Sequence, residues 1–292
     1  MSPGARLVLL AAVLFGTTGT AQALGPADAD PLAVGAVRLL VGAAGLVVVA
    51  SVRGGLRPAF SVGWGWLALG MIGVAGYQVT FFGGVRLAGV GVGTLLTIGS
   101  APIFTGVVAR LLTGERPVRA WYAATGLALV GLVLIADLGG RPDPVGVVLA
   151  LAAGASYAFF SVGSDRVVSA SNPVAAMAVV FGGGAVLVSP LLAMVDLGWL
   201  GSPPGYLSAL WLGLAATTAA YVLYGRGLAI TPVTTVATLV LAEPIVALLL
   251  ATAVLREPLG LTSIAGAALV GIGLLILSRS SRHGHPAVEP VP

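Results

Sequence analysis

The 292-residue chain has no cysteine, no lysine, two histidines and only 8% charged residues. Without cysteine there is no disulfide or thiolate-metal framework, and the redox compartment cannot be read. The histidines, His283 and His285, lie together near the end of the chain, which argues against a metal centre. Gly89-Val90-Gly91-Val92-Gly93 has no surrounding βαβ pattern and is no nucleotide loop. There is no Walker sequence and no paired acidic motif for membrane prenyl or phosphoryl chemistry. These absences argue against an enzyme, and no cofactor is expected.

Apolar residues fill the space that charge leaves. Mean hydropathy is +1.07 and 58% of residues are hydrophobic, whereas soluble domains carry about 25% charged residues. Such a chain cannot cover a water-facing surface, so a lipid bilayer is its expected solvent. The isoelectric point near 10.0 would fit nucleic acid, but the basic residues fall in short connections between apolar runs, so no nucleic-acid partner is expected. All 14 basic residues are Arg, which with abundant Ala, Gly and Val points to a GC-rich bacterial genome.

A spanning helix needs about 20 apolar residues. The sequence predicts an all-α integral membrane protein with ten such spans, near 5–24, 31–51, 62–82, 89–112, 118–136, 144–163, 173–193, 206–225, 233–254 and 260–278. Turn chemistry marks the breaks, as in Gly114-Glu115-Arg116-Pro117 and Arg256-Glu257-Pro258. Arg6, an apolar run and Ala21-Gln22-Ala23 also resemble a secretory signal. Residues 5–24 match 147–166, however, and cleavage would delete one repeat element.

The match belongs to a duplication. Pro31/Pro173, Pro102/Pro244, Glu115/Glu257 and Gly131/Gly273 repeat at one gapless offset of 142 residues. The predicted units are 1–139 and 140–280, followed by a disordered cytoplasmic tail at 281–292. Orientation follows from basic loop residues. With the N-terminus inside, ten Arg fall inside, three (Arg86, Arg141 and Arg256) fall outside, and Arg38 lies within a span. Both termini are then cytoplasmic. Five spans per half make the second half enter from the opposite face, an inverted repeat whose halves enclose a midplane site.

The chain resembles the EamA-type transporters of the drug/metabolite transporter superfamily. The similar pieces are Asp30-Pro31 with Arg38-Leu39-Leu40, then Ala101-Pro102-Ile103-Phe104 leading to Gly114-Glu115-Arg116. In the second half they are Ala242-Glu243-Pro244-Ile245, Arg256-Glu257-Pro258 and Gly271-Ile272-Gly273. The resemblance implies a ten-helix carrier in the bacterial plasma membrane that moves small metabolites such as amino acids, often outward. It departs at Val180, which stands where the first half has Arg38.

Glu243 is the sharpest candidate. As the eleventh residue of its span it lies ~15 Å deep at ~1.5 Å per residue. A charge there costs about 2.5–3.5 kcal/mol on insertion scales, so it must face a cavity, pair or take a proton. The functional reading is proton coupling or binding of a substrate amine; the plain one is an acid tied to a neighbouring helix. Arg38 lies at similar depth and could brace Glu243 or exchange it for a substrate carboxylate. Pro102 and Pro244 are matched mid-span breaks, which either mark a binding site or fix a packing kink. Tyr77, Gln78, Thr94, Thr97, Tyr157, Thr217 and Tyr221 place polar groups on helical faces, where they line a small-molecule site, bond their own helices or, for Tyr221, sit in an interfacial belt. Trp64, Trp66, Trp121, Tyr122 and Trp199 are expected in that belt. The stripes Gly146/Ala150/Gly154/Ala158 and Ser263/Ala267/Gly271 would pack helices within the chain or against a second copy as a homodimer.

Overall fold

The computed structural model describes residues 1–136 and 142–280. Asp137, Arg141, the 139/140 boundary, the two histidines and the tail lie outside the described residues. Five helices open on the same two-residue signal, a polar cap followed by proline: Ser2-Pro3, Asp30-Pro31, Asp143-Pro144, Asn172-Pro173 and Ser202-Pro203. Each cap side chain accepts from a backbone N–H inside the first turn, Asp30 from Leu32 and Asp143 from Val145 at 2.7 Å each. Proline then occupies a position whose own N–H would have no partner.

The helices are α1 (Pro3–Ala23), α2 (Pro31–Val52), α3 (Trp64–Ala88), α4 (Val90–Thr113), α5 (Arg119–Ile135), α6 (Pro144–Ser169) and α7 (Pro173–Val188). They continue with α8 (Pro203–Leu210), α9 (Ala220–Leu228), α10 (Val233–Leu239), α11 (Glu243–Leu255) and α12 (Leu261–Ser280). A π-helix, Trp211–Ala219, joins α8 to α9, and a 3₁₀ turn, Val240–Ala242, joins α10 to α11. No strand occurs among the described residues. Among the described residues, nine helical segments of 19–26 residues are long and apolar enough to cross a membrane; α5, with 17, is shorter.

Three local features differ from the sequence reading. The third span is longer than expected, and a single residue, Gly89 at φ 86°, separates α3 from α4. That left-handed angle suits glycine, which has no Cβ to clash. Second, the matched prolines do unmatched things: α4 runs unbroken through Pro102, whereas Pro244 follows the 3₁₀ turn that interrupts its span. Third, Trp121 and Trp199, expected at the lipid interface, are each only 7% exposed. Trp121 is held inward by its Nε1–H, which donates to the Thr234 carbonyl at 3.0 Å.

Small residues set the packing. A Cβ on Gly163 would lie 2.6 Å from the Gly70 nitrogen, so α3 and α6 touch backbone to backbone. Gly131 and Gly266 do the same for α5 and α12. Gly146, Ala150 and Gly154 pack against α3 and α4, so that stripe is used within the chain. On α12 the packed residues are Gly266, Val270 and Gly273, while Gly271 has open space around it. Antiparallel neighbours are α3 with α6, α5 with α12, and α1 with the α8–α9 helix, where Trp211 Nε1 donates to Thr17 Oγ1 and Ser208 Oγ to Ala21 O. Parallel neighbours are α3 with α7, α4 with α6, and α2 with the π-helix, where Thr218 Oγ1 donates to Gly42 O at 3.0 Å. The core of fully buried side chains, including Leu39, Val162, Met177 and Tyr224, lies among α2, α6, α7 and α9.

Candidate functional site

A cavity of about 670 Å³ opens among these helices. It reaches Ala23, Pro31, Gly91 and Glu257, all at the end of the bundle opposite the N-terminus of α1. Of the nine residues picked from the sequence, eight line it: Arg38, Tyr77, Gln78, Thr94, Tyr157, Thr217, Tyr221 and Glu243. Thr97 lines a 30 Å³ pocket that adjoins it and shares Tyr77, Tyr157 and Glu243. Pro244 is on the cavity wall, whereas Pro102 is buried within α4 and lines neither space.

Glu243 is placed by the break in its span. It is the first residue of α11, directly after the 3₁₀ turn, and it is half-buried. Arg38, also half-buried, lines the same cavity from α2. The two charges act on each other electrostatically, together with Tyr77 and Tyr221. No ion pair within 4.0 Å joins them. The cavity therefore presents an acid and a base that are not spent on each other.

Several polar groups are already engaged. Gln78 donates from Nε2 to the Gly35 carbonyl at 2.7 Å, tying α3 to α2. Thr97 donates to the Ala150 carbonyl at 3.0 Å, tying α4 to α6. Thr217 donates to Leu212 O, five residues back, at 2.8 Å. Thr218 does likewise to Gly213 O, so two hydroxyls stabilise the widened π turn. These residues hold the frame as well as line the space.

The aromatic wall is larger than the sequence suggested. Phe15, Phe81, Phe82, Phe160 and Phe181, five of the chain's eight phenylalanines, line the cavity. Phe181 meets Tyr221 with ring centroids 4.1 Å apart, and Phe160 meets Tyr221 at 5.7 Å. One signal was present: Phe81 lies four residues after Tyr77, and Phe160 three after Tyr157, hence on the same helical faces. Phe181 had no such signal, because only the tertiary fold brings α7 to Tyr221.

The opposite end is sealed. Tyr224 is fully buried, with its hydroxyl 3.0 Å from Ser161 Oγ and 3.4 Å from the Tyr157 hydroxyl on the cavity wall. Thr125 and Thr238 pair at 3.0 Å. The connection after α4 reaches across, and Thr234 Oγ1 donates to Glu115 Oε1 at 2.7 Å. Among the described residues no group of three or more His, Asp or Glu side chains gathers to hold a metal ion.

Comparison with known proteins gives a family and a fold. The model of the EamA-like transporter family matches twice, over residues 2–136 and 144–279. The Bacillus subtilis (strain 168) protein named "Uncharacterized transporter YwfM" is 41% identical over 279 residues, covering 94% of this chain and 93% of that one. A solved crystal structure superposes with a TM-score of 0.81 over 97% of this chain and 99% of the other, at 21% identity, which is a likeness of fold.

Proposed function

We propose that this chain, which belongs to the EamA-like transporter family, is a secondary carrier of small zwitterionic metabolites of the amino-acid kind. It is a multi-pass membrane protein of a transporter family. The finer reading rests above all on one observation: Arg38 and Glu243 line one aromatic-walled cavity without pairing. Its volume lies within the roughly 300–1,000 Å³ of small-molecule sites.

In this reading the planar guanidinium of Arg38 takes the substrate carboxylate. Glu243 takes the ammonium group or, in its absence, a proton, which gives a route to coupling. Phe160, Phe181 and Tyr221 face the apolar remainder. Neither charge needs a fixed protein partner if the substrate supplies both.

Movement would follow alternating access. The proposed units are 1–139 and 140–280, inserted oppositely, with ten crossings and α5 as the fifth. The helix directions support this, since every antiparallel pair joins an odd to an even crossing and every parallel pair joins like to like. The neighbours also exchange under the 142-residue shift: α3–α6 becomes α8/α9–α1, α3–α7 becomes α8–α2, and α4–α6 becomes α11–α1. The Arg distribution supports cytoplasmic termini in a bacterial plasma membrane.

The test is counterflow in proteoliposomes with a panel of labelled amino acids. Saturable exchange is expected, and Arg38→Gln and Glu243→Gln should each weaken it by about ten-fold or more. Flux that neither saturates nor exchanges would exclude a carrier. Exchange unaltered by both substitutions would exclude this recognition scheme.

A further inference from the structure

The residues that seal the closed end differ in kind from their repeat mates at the open mouth. Glu115 follows Gly114, a left-handed residue at φ 74° that ends α4. Its carboxylate accepts from Thr234 Oγ1 at 2.7 Å, and the Thr234 carbonyl accepts from Trp121 Nε1 at 3.0 Å. The first half of the chain thus grips one residue of the second from two directions. The mate of Glu115 is Glu257, which follows Arg256, again left-handed at φ 60°. Glu257 is exposed and lines the cavity, as Val90 and Gly91 do. Two residues after Val90 is Val92, the mate of Thr234, and it carries no hydroxyl.

The same loss recurs through the seal. Tyr157, Ser161, Tyr224, Thr125 and Thr238 have as mates Phe15, Gly19, Phe82, Ala267 and Leu96. Every hydroxyl that closes one end is missing from the corresponding position at the other. A mouth closed by the mates would be held by apolar contact, and its glutamate would find no hydroxyl donor.

We infer that Glu115 and Thr234 are the latch of the closed end, and that the missing hydroxyl at Val92 leaves Glu257 without the equivalent latch, so that the carrier rests with its mouth open. Both are positioning residues, because neither lines the substrate cavity at its charged centre. The inference rests on the carrier reading, since a latch has meaning only if the two ends open in turn.

The natural chain has no cysteine, so single reporters can be read without background. Gly19→Cys places a thiol on the cavity wall, where a Cβ meets no atom within 4 Å. Its mate Ser161→Cys places one inside the closed seal. Maleimide reactivity of each is measured from both sides of sealed vesicles. Thr234→Val should raise Ser161→Cys reactivity and lower that of Gly19→Cys by roughly ten-fold, the effect of losing one hydrogen bond to a charged acceptor. Val92→Thr should move both rates in that same direction by installing the missing donor, and adding Glu257→Ala, which removes the acceptor, should cancel its effect. Val92→Thr is nearly isosteric, so it remains informative should Thr234→Val fold poorly. Unmoved rates in both variants, or a Val92→Thr effect that survives Glu257→Ala, would overturn the latch while leaving the carrier reading intact. A Ser161→Cys thiol that never reacts in a transporting protein would remove the rocking motion and the latch together.

Discussion

The side-chain amide of Gln78 donates to the carbonyl of Gly35 at 2.7 Å, and Gly35 lies one helical turn before Arg38 on α2. Gln78 is 4% exposed, so this bond fixes α3 against α2 at the cavity wall. It sets the position from which Arg38 enters the cavity. Gln78→Leu should therefore lower stability by about 0.5–1.5 kcal/mol, because a buried hydrogen bond between the helices is lost while the Gly35 carbonyl keeps its own helical donor. It should also raise KM more than it lowers maximal rate. Thermal melting in detergent and saturation of uptake check the two halves of this statement; an unchanged KM would detach Gln78 from the placement of Arg38.

The charges should separate by substrate chemistry. Arg38→Gln should weaken recognition of an amino acid by about ten-fold or more, the loss of a charge-assisted bond, while sparing competition by the corresponding decarboxylated amine. Glu243→Gln should do the reverse and favour the deaminated acid. Competition curves with the three compounds measure this directly. Equal losses for all three in both variants would mean that the two residues hold the fold and do not read the ligand.

Close helix contact predicts steep size limits. Gly163→Val would press its Cβ against the backbone of Gly70. Such overpacking costs about 1–3 kcal/mol or more where backbone must move. Gly126→Ala faces open space and should leave the melting temperature unchanged or slightly raised. Equal melting temperatures for the two variants would contradict the close contact between α3 and α6.

Tyr224→Phe copies onto the sealed end the residue that stands at its mate, Phe82. The hydroxyls of Ser161 and Tyr157 both lose their partner. The expected cost is about 1–2 kcal/mol, read as a lower melting temperature together with greater reactivity of a thiol in the seal. A loss of stability without any gain in reactivity would make Tyr224 a structural residue only.

An even number of crossings puts both ends of the chain on one side. Epitope tags before residue 1 and after residue 292 should both resist protease added to intact cells and both be cut in inverted vesicles. Opposite behaviour of the two tags would remove one crossing, with α5, the 17-residue helix, the first suspect.

Much of this was legible in the sequence because lipid makes the signal coarse. Long apolar runs, turn residues at the breaks, and a gapless repeat mark the helices without any knowledge of their neighbours. Intramembrane Arg38 and Glu243 stand out for the same reason, since a charge in lipid requires a site. What could not be read depends on neighbours. Trp121 resembles an interfacial residue until Thr234, 113 positions later, accepts its N–H. Phe160 and Phe181 look like ordinary apolar residues until the fold turns them toward Tyr221. The matched prolines suggested matched breaks, yet only the span containing Pro244 is interrupted, and the π turn at Trp211–Ala219 has no counterpart in the first half.

The one-residue join at Gly89 has a mechanical consequence. With a single residue between them, Ala88 and Val90 cannot draw apart, so the adjoining ends of α3 and α4 stay together however the two helices tilt. The equivalent join in the second half, from Ala229 to Pro232, has four residues. That half has slack where the first has none. A swing of the whole assembly would bend at this looser elbow, which sits directly beside Thr234.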